Sequence, residues 1–375
     1  MSPQKSHHSL DEVIQKRRIL VTCGTGGVGK TTLSAAIAMR AAVLGKKAVV
    51  ITVDPAKRLA TSLGLKDLGD TPMDLTPLLK RAFADHPPEA FKKCVGTLAA
   101  IVPDSRTTFE TFMKGLAPTT QIMERVLKNP IVDVFAREFS GANEYLALER
   151  LYHLDLLKEY DFIVLDTPPS RNTLAFLEAP QLLARLFEEK LVRWFVLPAN
   201  KIAAAGMRKA MGILEKITGE GFMTHLFDFG GALFEIQENF LKNLKAINAL
   251  LQSQDVGFLL VTVPTPETVP ELNHFVDSVK EHGFHFDGIA LNRTLSYLDT
   301  ESATAADRGK ASQGFEVLDA LKAREQSAIS ELKNFSKKSA IGSQIFYTQL
   351  PELARDVHSV EDLFHVAMAF DHSLS

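Results

Sequence analysis

The chain has 375 residues, 46% hydrophobic and 23% charged, with a formal net charge of −3. That composition supplies a globular core and gives no global electrostatic drive toward nucleic acid or anionic lipid, so no nucleic-acid partner is expected. The two cysteines, Cys23 and Cys94, form no CxxC pair; this excludes a disulfide framework and a cysteine zinc site, and makes a reducing cytoplasm the default compartment.

In chain order, residues 1–16 are polar, carry His7, His8, Asp11 and Glu12, and lack an apolar signal core, so a flexible N-terminal segment is expected there. Arg18 to Cys23 reads as a strand buried on both faces, followed by a glycine-rich loop, Gly24 to Thr32. Thr31 to Leu44 is Ala-rich and helical, with Gly45 as its cap. Ala48 to Val53 is a second buried strand ending at Asp54-Pro55, and Phe162 to Leu165 a third ending at Asp166-Thr167-Pro168-Pro169. Gly257 to Val263, Phe286 to Leu291 (ending at Asn292) and Gln344 to Tyr347 (ending near Leu350-Pro351) complete the set. Residues 300–338 suit a polar-faced helix or hairpin, and no apolar run reaches the roughly 18 residues of a membrane helix, so direct membrane insertion is not expected.

Strands alternating with helices predict a mostly parallel central sheet, whose ligands bind beyond the carboxyl ends of the strands. The expectation is an α/β fold: a single domain over 17–375, with helical insertions at about 70–158 and 171–254. The second insertion carries Leu182, Phe187, Trp194, Met207, Phe227, Phe234 and further large apolar residues. These either pack on one another or line a groove for a client or partner helix.

Gly24-Thr25-Gly26-Gly27-Val28-Gly29-Lys30-Thr31-Thr32 satisfies G-x-x-x-x-G-K-[ST] between a predicted strand and a predicted helix. Its glycines let the main chain approach phosphate, and successive N–H groups form an anion nest at a helix N-terminus. Lys30 is expected to reach the β- and γ-phosphates of ATP, with Gly26, Gly27, Val28, Gly29 and Thr32 cradling them and the Thr31 hydroxyl on Mg²⁺. Asp54 and Asp166 leave neighbouring strands toward the same place. An Asp before a helix is also a common N-cap, and that reading stands beside the functional one. No HExxH or GxSxG occurs, and His153 lies on an apolar pattern that suits a core residue.

Gly26 to Thr32, Asp54-Pro55-Ala56-Lys57-Arg58-Leu59 and Asp166-Thr167-Pro168-Pro169-Ser170 together resemble the arsenical-pump ATPase family. That family of deviant-Walker P-loop NTPases also contains the ATPase that targets tail-anchored membrane proteins, and is related to the partitioning ATPases. The resemblance implies Mg-dependent ATP hydrolysis, a homodimer and a hydrophobic client or membrane-protein partner. By position, it implies that Asp54 orients the attacking water, Asp166 holds Mg²⁺, Asn292 reads adenine and Pro351 lines the base.

The sequence departs from the family where a lysine of the loop is replaced by Thr25. Arg171, or Arg58, is the expected substitute cation, Arg171 being the catalytic candidate. The cysteine clusters that serve metalloid binding and a zinc clasp in relatives are missing, which points to a bacterial branch lacking both. A non-catalytic nucleotide scaffold and a partitioning-type ATPase are the alternatives. The tail Ser359 to Ser375, with Glu361, Asp362 and Asp371 and no Lys or Arg, argues against a membrane-bound version of the latter.

Overall fold

The computed structural model describes residues 9–52, 59–60, 63, 65, 68–69, 71–85, 87–92, 96–103, 105–130, 142–167, 222–295, 312–338, 342 and 344–371. Eight strands, β1 Ile19–Cys23, β2 Lys47–Thr52, β3 Met73–Asp74, β4 Thr97–Ile101, β5 Phe162–Asp166, β6 Val256–Thr262, β7 Phe286–Thr294 and β8 Phe346–Pro351, form one sheet in the order β3-β4-β2-β5-β1-β6-β7-β8. Every pairing is parallel except β3 with β4. β1, β5 and β6 are buried at every position, as Ile-, Val- and Leu-rich strands covered on both faces must be. The register places Thr22 opposite Asp166 and Thr52 opposite Asp166, so β1, β5 and β2 end level. That level edge fixes where side chains from three distant parts of the sequence converge.

The six expected strands are all present, with ends shifted by a few residues. The stretch from residue 70 to 158, expected to be mostly helical and to lack buried strands, contains β3 and the buried β4. β4, Thr-Leu-Ala-Ala-Ile, has at its centre Leu98, Ala99 and Ala100, which have little strand preference. It is a strand because it is buried and pairs in parallel with β2 from Lys47↔Thr97 to Ile51↔Ile101. Tertiary pairing overrides weak local preference here.

The expected flexible segment 1–16 is also corrected, for its described part. Leu10–Lys16 is a helix, α1. Ser9 accepts from the Glu12 N–H while the Glu12 carboxylate accepts from the Ser9 N–H, a reciprocal capping box that ties down two orphan donors. Leu10, Val13 and Ile14 are buried, and Asp11 receives two hydrogen bonds of 2.8 Å from Arg40.

Arg40 belongs to α2, Lys30–Val43, whose small side chains let it lie against the sheet with eleven buried residues. Gly45, at φ 89°, ends that helix: its N–H reaches Ala42 O at 3.0 Å and the Lys46 N–H reaches Ala41 O at 3.0 Å. Those two bonds are a Schellman cap, and the left-handed φ is why a glycine stands there. Around the sheet lie α3 Thr76–Ala82, α4 Glu89–Lys92, α9 Thr268–Glu281, α10 Ser312–Lys338 and α11 Val360–Met368, while α5 Ser105–Leu116, α6 Thr120–Leu127, α7 Ala142–Leu157 and α8 Phe222–Leu251 are the other α-helices among the described residues, numbered in chain order. Of the stretch 300–338 expected to be a helix or hairpin, residues 312–338 form the helix α10, and 300–311 lie outside the described residues.

Two compact units result. The first comprises Met1–Val102, Leu157–Leu174 and Gln252–Ser375 and carries the sheet. The second comprises Pro103–Leu156 and Ala175–Leu251. Within the second unit, Phe112, Tyr145 and Phe240 form a triangle with ring centroids 5.2, 5.6 and 5.7 Å apart. Asn239 donates to Leu116 O at the carboxyl end of α5 at 2.8 Å, supplying a partner to a helix-end carbonyl. Phe229 and Phe240 are buried but Phe234 is exposed, and residues 171–221 of the apolar stretch lie outside the described residues. His153, expected in the core, is only partly buried. Among the described residues, no helix is long and apolar enough to cross a membrane.

Candidate nucleotide site

The loop between β1 and α2 stands on the end of β6. A Cβ at Gly24 would collide with the carbonyl oxygen of Val261, so only glycine permits that approach. Gly29, the N-cap of α2, has φ 92° and leaves no room for a Cβ because the Asn292 amide lies against it. Asn292 Nδ2 donates to Val28 O at 2.8 Å, which pins β7 to the loop. The N-terminus of α2 therefore opens into a glycine-lined turn with its first N–H groups unclaimed by the helix, the arrangement that attracts an anion.

Lys30 is buried, and its Nζ donates to Gly24 O at 2.7 Å and Thr25 O at 2.8 Å. The ammonium thus curls back over the loop it serves. Thr25 contributes a backbone carbonyl there.

Beside it lies a carboxylate held by hydroxyls. Asp166, 1% exposed at the end of β5, accepts from Thr31 Oγ1 at 2.7 Å and from Thr52 Oγ1 at 2.7 Å on Oδ2, and from Ser34 Oγ at 3.4 Å on Oδ1. Ser34 Oγ also lies 2.8 Å from Lys30 O and 2.7 Å from Thr22 Oγ1, and Thr167 Oγ1 donates to Thr22 O at 2.8 Å. A buried carboxylate is costly without such donors, and hydroxyl hydrogen bonds favour its charged form. The Thr31 hydroxyl and the Asp166 carboxylate are hard oxygen donors in contact with each other, a set that fits Mg²⁺. Among the described residues no group of three or more His, Cys, Asp or Glu side chains could hold a metal ion.

On the other side of the loop is a cavity of about 350 Å³, lined by Gly29, Thr32, Asn292, Pro351, α11 residues and the segment before α11. Asn292 sits inside β7 rather than after it, and Arg293 follows with φ 58°. The Arg293 guanidinium reaches Glu352 at 3.8 Å with both side chains about half exposed, a rim contact of little energetic weight.

Of the residues singled out from sequence, Thr31 and Asp166 are in direct contact and Lys30 folds back onto the loop, with Gly26, Gly27 and Val28 in the loop itself. Gly29, Thr32, Asn292 and Pro351 share the cavity on the other side. Asp54, Arg58, Arg171 and Cys94 lie outside the described residues. Cys23 is fully buried, and burial pushes its thiol up to about 12 against the smaller opposing influence of the Lys30 charge. It is a strand-end packing residue, not a nucleophile.

Sequence reasoning missed Thr22, Ser34 and Thr52. A signal was present: Thr22 and Thr52 are hydroxyl residues at the carboxyl ends of otherwise apolar, doubly buried strands, where a polar side chain needs a partner. It also missed Glu271 in the first turn of α9, whose carboxyl accepts from Thr262 Oγ1 at 3.2 Å.

Residues 17–337 match the model of the anion-transporting ATPase family. The chain is 26% identical over 281 residues to a protein of Aquifex aeolicus named as an arsenical pump-driving ATPase, covering 74% of this chain and 80% of that one. It is 23% identical over 303 residues to the ATPase GET3B of Arabidopsis thaliana, covering 78% and 69%. Against the ATPase ARSA1 of Chlamydomonas reinhardtii it is 23% identical over 297 residues, covering 75% of this chain and 36% of that one. With the phosphate loop, the parallel sheet and this match in agreement, the chain belongs to the anion-transporting ATPase family and is an ATPase.

Proposed function

We propose that the protein is a Mg-dependent nucleotide switch in which ATP bound at the Gly24–Thr32 loop drives a client or partner cycle. The observation that carries this reading is the Thr31 hydroxyl seated on the buried Asp166 carboxylate at 2.7 Å beside the lysine of the loop. In it, the N–H groups of Gly26 to Thr32 cradle the phosphates, and Lys30 leaves the Gly24 and Thr25 carbonyls to reach the β- and γ-oxygens. Thr31 and Asp166 hold the magnesium ion, which when bound supplies charge neutralisation for the phosphates. The Thr52 hydroxyl, 2.7 Å from Asp166 Oδ2, holds that carboxylate in place.

Asp54, two residues after Thr52 in the sequence, orients the attacking water; Thr52 itself pairs with Asp166. Arg171 supplies the cation that Thr25 lacks. Asn292 and Pro351 enclose the base in the cavity they line with Gly29 and Thr32. The active form is a homodimer, and the stretch from Leu182 to Phe240 takes a hydrophobic client or membrane-protein partner. The free Cys23 thiol suits a reducing compartment such as the cytoplasm.

The test is ATP turnover with Mg²⁺ for wild type and Asp54→Asn, alongside light scattering with and without ATP. Turnover lost in the variant, with ATP-dependent dimer formation, supports the switch. An unaltered rate in Asp54→Asn removes the role given to Asp54, and a monomer in saturating ATP removes the dimer.

A further inference from the structure

One carboxyl near the phosphate loop has no part in the scheme above. Glu271 lies in the first turn of α9, where the Thr262 hydroxyl at the end of β6 donates to its Oε2 at 3.2 Å. Its Oε1 is buried and accepts no hydrogen bond. The strand end that holds it is the one the loop stands on, because Val261, next to Thr262, is the residue whose carbonyl lies against Gly24. The charge of Lys30 acts on the Glu271 carboxyl. A buried carboxylate oxygen without a donor is costly and is retained for a reason.

We propose that Glu271 is a positioning residue of the phosphate site: anchored on Thr262 beneath the loop, its carboxylate restrains Lys30 and so sets how tightly the triphosphate is gripped. This rests on the reading that ATP phosphates occupy the Gly24–Thr32 loop. The chemistry is a competition. While Glu271 is ionised, it holds the ammonium toward the protein and repels the incoming phosphates. Once it is neutral, both oppositions to ATP vanish.

Burial holds the Glu271 carboxyl above the usual carboxylate range, against the smaller opposing pulls of the Thr262 hydrogen bond and the Lys30 charge. Added phosphate charge raises it further, so ATP and a proton bind together. The charged group acting on it from the loop side is Lys30 on α2, and Thr262 of β6 is uncharged. On its own helix Glu267 and His274 are exposed. From α10, Arg324 acts on Glu267.

The experiment measures binding of a non-hydrolysable ATP analogue with Mg²⁺ to wild type, Glu271→Gln and Thr262→Val from pH 5 to pH 8, with KM and kcat determined in parallel. Glu271→Gln, a fixed neutral mimic, is expected to bind more tightly than wild type by about tenfold at the alkaline end, the equivalent of one pKa unit between free and bound states. The ratio should shrink as pH falls and the wild-type carboxyl takes up its proton. KM falls with it while kcat does not rise. Thr262→Val removes a hydrogen bond that favours the ionised form, so it moves the wild-type pH profile to higher pH.

A Gln-to-wild-type ratio that is the same at every pH overturns the proposal, as does a Thr262→Val profile superimposable on wild type. Should Glu271→Gln not fold, the Thr262→Val profile decides alone. Failure of wild type to bind the analogue at all would instead overturn the underlying reading of the loop.

Discussion

Asp166 separates the stability of the site from its chemistry. Its carboxylate is 1% exposed and accepts from Thr31 and Thr52 at 2.7 Å and from Ser34 at 3.4 Å. In Asp166→Asn the amide oxygen can take the Thr31–Thr52 side. The amide N–H₂ then faces Ser34 Oγ, which has Lys30 O at 2.8 Å as its own acceptor. Every polar atom keeps a partner, so the loss is charge assistance on two hydrogen bonds, offset by removing a buried charge: about 1 kcal/mol in total. Asp166→Ala leaves the Thr52 hydroxyl buried without that acceptor and adds a small cavity, while Thr31, partly exposed, can turn to water. That substitution costs about 3 kcal/mol. Urea denaturation of the nucleotide-free protein reads the difference, and Mg-ATP turnover reads the chemistry. On the metal role proposed for Asp166, turnover falls about 100-fold or more in both variants, because neither supplies a carboxylate to the metal. Asp166→Asn turning over within a few-fold of wild type would refute the metal role. Equal stability of the two variants would refute the hydroxyl cluster.

Two further outcomes follow from buried groups away from the phosphates. Arg17 gives Asp287 two hydrogen bonds of 2.8 Å, its third nitrogen donates to Gln254 O, and the pair is 4% and 10% exposed. Asp287→Ala leaves that guanidinium buried against no counter-charge and destabilises by about 3–5 kcal/mol, whereas replacing both partners by apolar residues costs less than the single change; denaturant midpoints of the three variants check this, and additive losses would contradict it. In a Cys94→Ser background, the Cys23 thiol resists alkylation at pH 8 in the native protein and reacts on unfolding. Its ionisation is raised in the folded state to about 12, so its stabilising contribution is complete below the unfolded value and is lost as pH climbs through the interval up to about 12. Rapid native labelling would contradict the burial.

The phosphate loop was legible because its chemistry lies in nine consecutive residues, and the six expected strands because their Ile, Val and Leu runs have no other stable home. β4 was not, since Leu98, Ala99 and Ala100 have little strand preference and are strand only through pairing with β2. α1 was legible but unread: Ser9-Leu10-Asp11-Glu12 is a capping-box sequence standing before Val13 and Ile14. The hydroxyl ring around Asp166 was hidden for a different reason. Thr22, Thr52 and Asp166 are level only because β1 and β2 both pair with β5 in one register, and a single sequence does not print register. Glu271 needed the same knowledge, since nothing near it in sequence reveals that it sits on Thr262, next to the residue whose carbonyl lies against Gly24.

The most direct test of the central claim is equilibrium binding of Mg-ATP to wild type and Lys30→Ala. Lys30 is the loop's buried cation, held at 2.7 and 2.8 Å by the carbonyls it must leave to reach phosphate. Wild type binding ATP, with affinity lowered at least about 100-fold in Lys30→Ala and the fold unchanged by circular dichroism, is the predicted result. Equal affinity in the two proteins would mean that the nucleotide sits elsewhere, and the account of this site would fail.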